Sequence, residues 1–287
     1  MKDYFKNYLK RIDAVTVADI KRVANKYLKP NNLNITVVGE GTEVGDKLAR
    51  FGELHYIDRE GVKTSAPIKS LPIPAGTTAK SVLQDYIKAI GGAEKIKSIT
   101  SSTSIYSLAM QGMNLKVTNL FATPNKTSTS IEMEGRGVMQ QMIFDGTSAF
   151  MKAQGQVIPL PEDQAKNAAI ESYFIPELYY TKNGVKTELK GAKTVEGKSA
   201  YHIEANYPGG KILNLFYDME TGLKLKSSST DKTPQGEFES SDVYGDYKAV
   251  NGVLIPHTQN SIQGPQKMDM KLESMEVNKP IDAKNFK

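Results

Sequence analysis

The 287-residue sequence contains no cysteine, and that absence removes disulfide frameworks, thiolate zinc sites, iron–sulfur clusters and cysteine nucleophiles together. Histidine is scarce as well. His55, His202 and His257 lie far apart, and none belongs to a His-Glu-x-x-His motif, its inverse or an i, i+4 pair, so a local two-histidine zinc site is missing. There is no Gly-x-Ser-x-Gly nucleophile elbow and no glycine-rich phosphate loop ending in Gly-Lys-Ser/Thr. Glu132 and Glu134 stand two apart on a strand, the ordinary pattern of charged neighbours on a solvated sheet face. The sequence therefore nominates no catalytic group, no metal ligand and no cofactor. No stretch approaches the ~18 apolar residues that a membrane-spanning helix requires. The opening Met1–Leu9 places Lys2, Asp3 and Lys6 where a secretory signal gathers its apolar run, so the expectation is a cytoplasmic chain or a piece of a longer one.

What is present is the composition of a folded chain. Hydrophobic residues at 39% and charged residues at 24% exclude collagen-like, coiled-coil and wholly disordered architectures, and the length sets a prior of about two domains. The net charge of +5 is local to residues 1–30, which hold eight basic and three acidic side chains; the remaining 29 basic and 29 acidic residues cancel. No basic stripe interleaved with aromatics runs through the rest, so a nucleic-acid partner is not expected. Gly39 to Gly45 follows an apolar run and precedes a short helical pattern at Glu43–Arg50, with Asp58 further on. The spacing is G-x-G-x-x-x-G, one residue too long for a dinucleotide fingerprint, and no βαβ series follows, so it reads as a glycine-rich turn.

Thr16-Val-Ala-Asp19 has the form of a capping box, and Val17, Ile20, Val23, Ala24, Tyr27 and Leu28 continue at helical spacing until Pro30. Tyr4, Phe5, Tyr8, Leu9 and Ile12 suggest a preceding helix. Leu33–Val38 (LNITVV) reads as one buried strand. Residues 61–76 carry Pro67, Pro72 and Pro74 among small residues, a semi-rigid linker composition that divides the chain into segments 1–60 and 77–287. Two helices and a strand are too little core to stand alone, so Val17, Ile20, Val23, Val37 and Leu48 are expected to pack against the second segment or another copy. Beyond the linker, Ala79–Ile90 is one amphipathic helix ended by Gly91-Gly92.

From Ser98 the hydrophobic period becomes two. Tyr106, Leu108 and Met110 alternate, followed by Leu115, Val117 and Phe121 around a polar Asn119, then Thr129, Ile131 and Met133, and then Val138, Met142 and Phe144. Further β runs fall at 201–205, 212–217, 223–228, 237–244, 252–256 and 268–277, and only Glu162–Phe174 interrupts them as a helix. The fold class is thus α+β, a mainly antiparallel curved sheet with covering helices, preceded by a small helix-and-strand segment.

Two family resemblances divide at the linker. Tyr8-Leu-Lys-Arg-Ile-Asp-Ala-Val-Thr-Val-Ala-Asp-Ile20, with Val23 to Leu28 and Ile35 to Gly39, resembles the C-terminal end of the pitrilysin/insulinase-type zinc peptidases. That family holds zinc in an inverted His-x-x-Glu-His motif absent here, so the resemblance implies a non-catalytic tail, with an upstream peptidase domain as an expected partner. Residues 77–287 resemble the LolA/LolB-like lipoprotein carriers, through Ala89-Ile-Gly-Gly92 before Ile96, the Tyr217-Asp-Met-Glu-Thr-Gly-Leu223 turn, Asp246 to Pro256, and Val277-Asn-Lys-Pro280. This resemblance implies an open half-barrel, a lipid or acyl-chain ligand, and a periplasmic or cell-envelope setting. The alternative is an interaction module docking on the peptidase body or a partner subunit, with no small ligand.

The alternating strands locate the expected ligand surface. Tyr106, Leu108, Met110, Leu115, Val117, Phe121, Ile131, Met133, Met142 and Phe144 share the apolar sets, with the 162–174 helix as a lid through Ala165, Ala168, Ala169 and Ile170. Six of the eleven methionines crowd into residues 110–151, where flexible thioethers either line an adaptable cavity or fill a core.

Overall fold

A computed structural model describes residues 2–29, 33–39, 41–58, 61–64, 70–110, 112–233, 236–264 and 266–287. The chain divides into two compact units, Met1–Pro67 and Ile68–Lys287. Pro30, Glu40 and residues 65–69 of the expected linker lie outside the described residues.

The first unit contains helices α1 (Lys2–Asp13), α2 (Val17–Tyr27) and α3 (Gly41–Leu48), then a two-strand ladder of β1 (Tyr56–Ile57) with β2 (Lys63–Thr64). The capping box at α2 forms as its residues dictate. The Thr16 hydroxyl accepts from the Asp19 N–H at 3.1 Å, and the Asp19 carboxylate accepts from the Thr16 N–H at 3.2 Å. The Thr16 hydroxyl also donates to the Asp19 carboxylate at 2.6 Å, and that bond, with the one from the Thr16 N–H, holds the Asp19 pKa below the ordinary carboxylate value. The expected strand at Leu33–Val38 is not formed: these residues are neither helix nor strand, and Val38 is 98% exposed. A β-branched run becomes a strand only where a neighbour offers a ladder, and here none pairs with it. Val17, Ile20, Val23 and Val37 are exposed, and the described residues of this unit include no buried apolar side chain. Helix α2, with no buried residue, thus rests on local hydrogen bonds and its cap rather than on a core.

The second unit begins with α4 (Ala79–Ala89), capped by the Thr78 hydroxyl on the Ser81 N–H, and the short α5 (Ala93–Lys97). Its strands are β3 (Ser101–Met110), β4 (Met113–Ala122), β5 (Lys126–Met133), β6 (Gly137–Phe144), β7 (Ala149–Ala153) and β8 (Gln156–Pro159). After α6 (Glu162–Glu171) and a 3₁₀ turn at Pro176–Tyr179 come β9 (Lys186–Val195), β10 (Lys198–Asn206), β11 (Ile212–Asp218), β12 (Lys224–Thr233), β13 (Gly236–Val250), β14 (Val253–Gln263) and β15 (Gln266–Val277). All thirteen pair antiparallel in one sheet, ordered β8-β7-β6-β5-β4-β3-β15-β14-β13-β12-β11-β10-β9. The chain therefore draws two meanders, and the first and last strands of the unit, β3 and β15, join them.

Helix α4 buries Val82, Leu83, Tyr86 and Ile87 against Ile203, Leu215, Tyr217, Val253 and Ile255 of the second meander, forming the main core. Side chains at 3.6 spacing meet side chains at spacing two, so one helical stripe covers one sheet face. The turn after α4 comes very close to the β13–β14 turn: Leu254 donates its N–H to the Ile90 carbonyl at 2.8 Å. Gly91 adopts φ +123°, and a Cβ there would collide with the Gly252 carbonyl oxygen; Gly92, at φ +89°, has open space.

Two predictions follow from this packing. Gly91→Ala should lower stability in urea unfolding distinctly more than Gly92→Ala, because positive φ costs about 1–3 kcal/mol at either site but only Gly91 also meets backbone; equal losses would contradict the close approach. In hydrogen exchange on the whole chain, α2 amides should exchange orders of magnitude faster than those of β3 and β15, because α2 has no buried residue; α2 amides as slow as those of the sheet would contradict this.

Candidate functional site

Antiparallel register places partnered residues on one face, so the pairing of β15, β3, β4, β5 and β6 resolves the sheet into transverse rows. One row runs Met270, Leu108, Leu115, Met133, and the next Leu272, Tyr106, Val117, Ile131. The following row changes character, running Met275, Ser104, Asn119, Thr129, Met142. After it come Val277, Ser102, Phe121, Thr127 and Phe144. Two aliphatic rows thus give way to two rows mixing hydroxyls and an amide with aromatic rings and thioethers.

A cavity of about 420 Å³ lies over the mixed rows. Ser102, Ser104, Tyr106, Asn119, Phe121, Thr129, Met142 and Phe144 form its wall in the first meander. Tyr86, Lys224, Tyr244, Tyr247 and Ile255 supply the opposite wall. Ala168 of α6 and the segment Glu171–Glu177 close it, with the Phe174 ring 5.5 Å from that of Phe121. Helix α6 is tethered to both meanders. The Asn125 amide in the β4–β5 turn donates to the Ala169 carbonyl at 3.5 Å. On the other side Asn167 donates to the Gly209 carbonyl at 3.3 Å, and Lys211 pairs with Glu171 at 2.5 Å.

The expected ligand residues divide between two places. Tyr106, Phe121, Met142 and Phe144 line the cavity. Leu108, Met110, Leu115, Val117, Ile131 and Met133 do not; with Met268 and Met270 they form a separate apolar cluster further along the same face, and Tyr106 packs on it. The reason is position along the strand: these residues share a face with the lining residues but sit in the aliphatic rows. Ala169 is not among the lining residues, and Ile170 is buried in the main core, since the helix turns Ala168 toward the cavity instead. The helix also ends at Glu171 rather than Phe174, and the residues after it, in irregular backbone, supply more of the lining than the helix does. Of the six clustered methionines only Met142 lines the cavity, joined by Met275 from β15.

The polar end of the cavity comes from residues the sequence reading did not single out. Lys224 Nζ donates to Glu177 Oε1 at 2.8 Å, with side-chain exposures of 17% and 2%. The Tyr217 hydroxyl donates to the same oxygen at 3.4 Å. The ammonium lies 4.8 Å from the Tyr244 ring centroid and 5.7 Å from that of Tyr86. Desolvation pulls the Lys224 pKa down, but the Glu177 carboxylate and the surrounding tyrosines outweigh it and hold the ammonium well above the ordinary lysine value. Burial likewise raises Tyr86, Tyr217, Tyr244 and Tyr247, so these rings are neutral hydroxyl-bearing walls at neutral pH. A signal for Glu177 was visible in the sequence: it is a lone carboxylate within the apolar run Phe174 to Tyr180.

Buried polar atoms ordinarily find partners. Among the described residues, Asn119 Oδ1, Asn167 Oδ1 and Glu177 Oε2 are buried without one, and two of these three belong to the cavity lining. No group of three or more His, Asp or Glu residues among the described residues is placed to hold a metal ion. No helix among them is long and apolar enough to cross a membrane. The arrangement offers a cavity lined by aromatic rings and hydroxyls, a buried ion pair and unpartnered acceptors.

No protein-family model matches the chain, and no curated protein matches it in sequence. Solved structures do match in shape. A LolA superfamily protein from Nitrosomonas europaea superposes with a TM-score of 0.51 at 13% identity, covering 74% of this chain and 98% of that one. A domain from Vibrio parahaemolyticus assigned to outer-membrane lipoprotein sorting also gives 0.51, at 10% identity, covering 72% of this chain and 97% of its own. At such identities the likeness is one of fold: the large, open, curved antiparallel sheet with its few helices is a LolA-like α+β fold.

Proposed function

We propose that residues 68–287 carry an apolar ligand, the acyl chain of a lipid or lipoprotein, and that this chain performs no catalysis. The observation that carries the reading is continuity. The cavity and the packed apolar cluster of Leu108, Leu115, Val117, Ile131 and Met133 share one sheet face and meet at Tyr106, which lines the one and packs on the other, so apolar side chains continue along the strands beyond the cavity. Its volume of about 420 Å³ falls within the range of small-molecule sites. The fold likeness to a LolA superfamily protein and to a lipoprotein-sorting domain supports the same class of ligand and a cell-envelope setting. For residues 1–60 the reading is a non-catalytic tail of a zinc-peptidase-type chain. It rests on the sequence resemblance and on the lack of an inverted His-x-x-Glu-His motif.

The test is saturable binding of a pyrene-labelled acyl methyl ester, whose head carries no charge. Wild-type protein should bind it, and Met133→Glu, at a half-buried position in the aliphatic rows, should weaken binding about tenfold or more with an unchanged circular dichroism spectrum, because a carboxylate facing an acyl chain is desolvated without a partner. Absence of saturable binding to the wild type would end the carrier reading and favour a protein-docking module.

A further inference from the structure

The cavity asks more of its occupant than an apolar chain. Its lining contains two carboxylates, Glu171 and Glu177, against one ammonium, Lys224. Each of these charges is already paired: Glu171 with Lys211, and Glu177 Oε1 with Lys224. What remains is acceptor capacity. Glu177 Oε2 is buried with no donor, on a side chain only 2% exposed, and Asn119 Oδ1 is buried with no donor in the middle of the mixed rows. A carboxylate is acceptor-only, so no rotation of Glu177 turns the unpartnered oxygen into a donor. Leaving such a group unsatisfied costs of order 1–3 kcal/mol, and a molecule that brings a donor recovers it.

We infer that the ligand carries a neutral, hydrogen-bond-donating head, a hydroxyl of the monoacylglycerol kind, seated against Glu177 and Asn119, with its acyl chain along the aliphatic rows. The inference rests on the carrier reading and narrows it to a head-group class. A free fatty acid is disfavoured, since its carboxylate adds like charge to a lining that already holds two carboxylates against one ammonium and brings no donor to the unpartnered oxygens. A simple ester is disfavoured because it brings no donor at all. The aromatic hydroxyls of Tyr86, Tyr244 and Tyr247, neutral at physiological pH, complete a wall that tolerates a hydroxylated head without adding charge.

Three competitors with the same chain separate the cases: monopalmitoylglycerol, methyl palmitate and palmitate, each displacing the pyrene-labelled ester from the full-length protein. The monoglyceride should bind about tenfold more tightly than the methyl ester, the value of one well-made hydrogen bond to a buried acceptor, and palmitate should bind no better than the ester. Asn119→Leu removes one acceptor at a side chain with no bond to lose, and should cut the ratio of monoglyceride to ester affinity severalfold. Glu177→Gln replaces a carboxylate oxygen with a donor and should shift preference toward palmitate; should that variant fail to fold, Asn119→Leu still decides. Equal binding of monoglyceride and ester to the wild type, or an advantage untouched by Asn119→Leu, overturns the inference while acyl carriage stands. Displacement by none of the three removes both.

Discussion

The ladder between β3 and β15 is the constraint on which the rest of the second unit depends. It joins strands more than 150 residues apart in sequence, from Ser102 opposite Val277 to Met110 opposite Met268, and so converts two meanders into one sheet. Closing so long a loop costs chain entropy before any contact repays it. A side chain locks the end of the ladder. Asn278 accepts from the Thr100 N–H at 2.8 Å and from the Thr100 hydroxyl at 3.2 Å, donates its amide to the Ser98 carbonyl at 3.1 Å, and gives its backbone N–H to the Ser101 carbonyl at 2.9 Å. One residue thereby satisfies backbone groups where the strand begins. Without this joint the mixed rows of β3–β6 and the Tyr86, Lys224 and Ile255 wall would belong to separate sheets, and the cavity would have only one side.

Helix α6 repeats the joint at a second level. Its Ala169 carbonyl is held from the β4–β5 turn, while Asn167 and Glu171 are held from the β10–β11 turn, so it lies across both meanders near the cavity. These are a few hydrogen bonds and one part-exposed ion pair, each contributing on the order of 1 kcal/mol or less. The main core, by contrast, is a large apolar cluster under α4. Ile170 of α6 and Ile175 after it belong to that cluster too, so the covering element is pinned by the main core as well as by these bonds, and Tyr86 and Ile255 carry the core up to the cavity lining.

Strands β3–β6 and β10–β15 were legible because a half-buried antiparallel sheet imposes a period of two, and the sequence obeys it through β3–β6 with a polar interruption at Asn119; β7 and β8 are too short, and β9 too rich in lysine, to show that period, and they were missed. That interruption marks the row where the aliphatic face gives way to the mixed one. The other side of the cavity was not legible, since Tyr86, Glu177, Lys224 and the pair Tyr244 and Tyr247 come from four separate stretches, α4, the 3₁₀ turn, β12 and β13, that meet only in the folded unit. The failure at Leu33–Val38 has the converse cause. Its residues favour a strand, but strand formation needs a partner edge, and local preference cannot reveal whether one exists.

Among the described residues the sheet of thirteen strands ends in β8 and β9; Leu71 donates its N–H to the Ala192 carbonyl of β9 at 2.7 Å, and both edge strands are unsuited to accept another chain. Strand β8 is four residues long and ends in Pro159, which has no N–H to offer. Strand β9 carries Lys186, Glu188, Lys190 and Lys193, and its ladder is broken by a bulge opposite His202 and Ile203. With its rims blunted in this way, a sheet this wide stays a single molecule's sheet, since edge-to-edge growth into fibres finds no long, flat, apolar strand to start from.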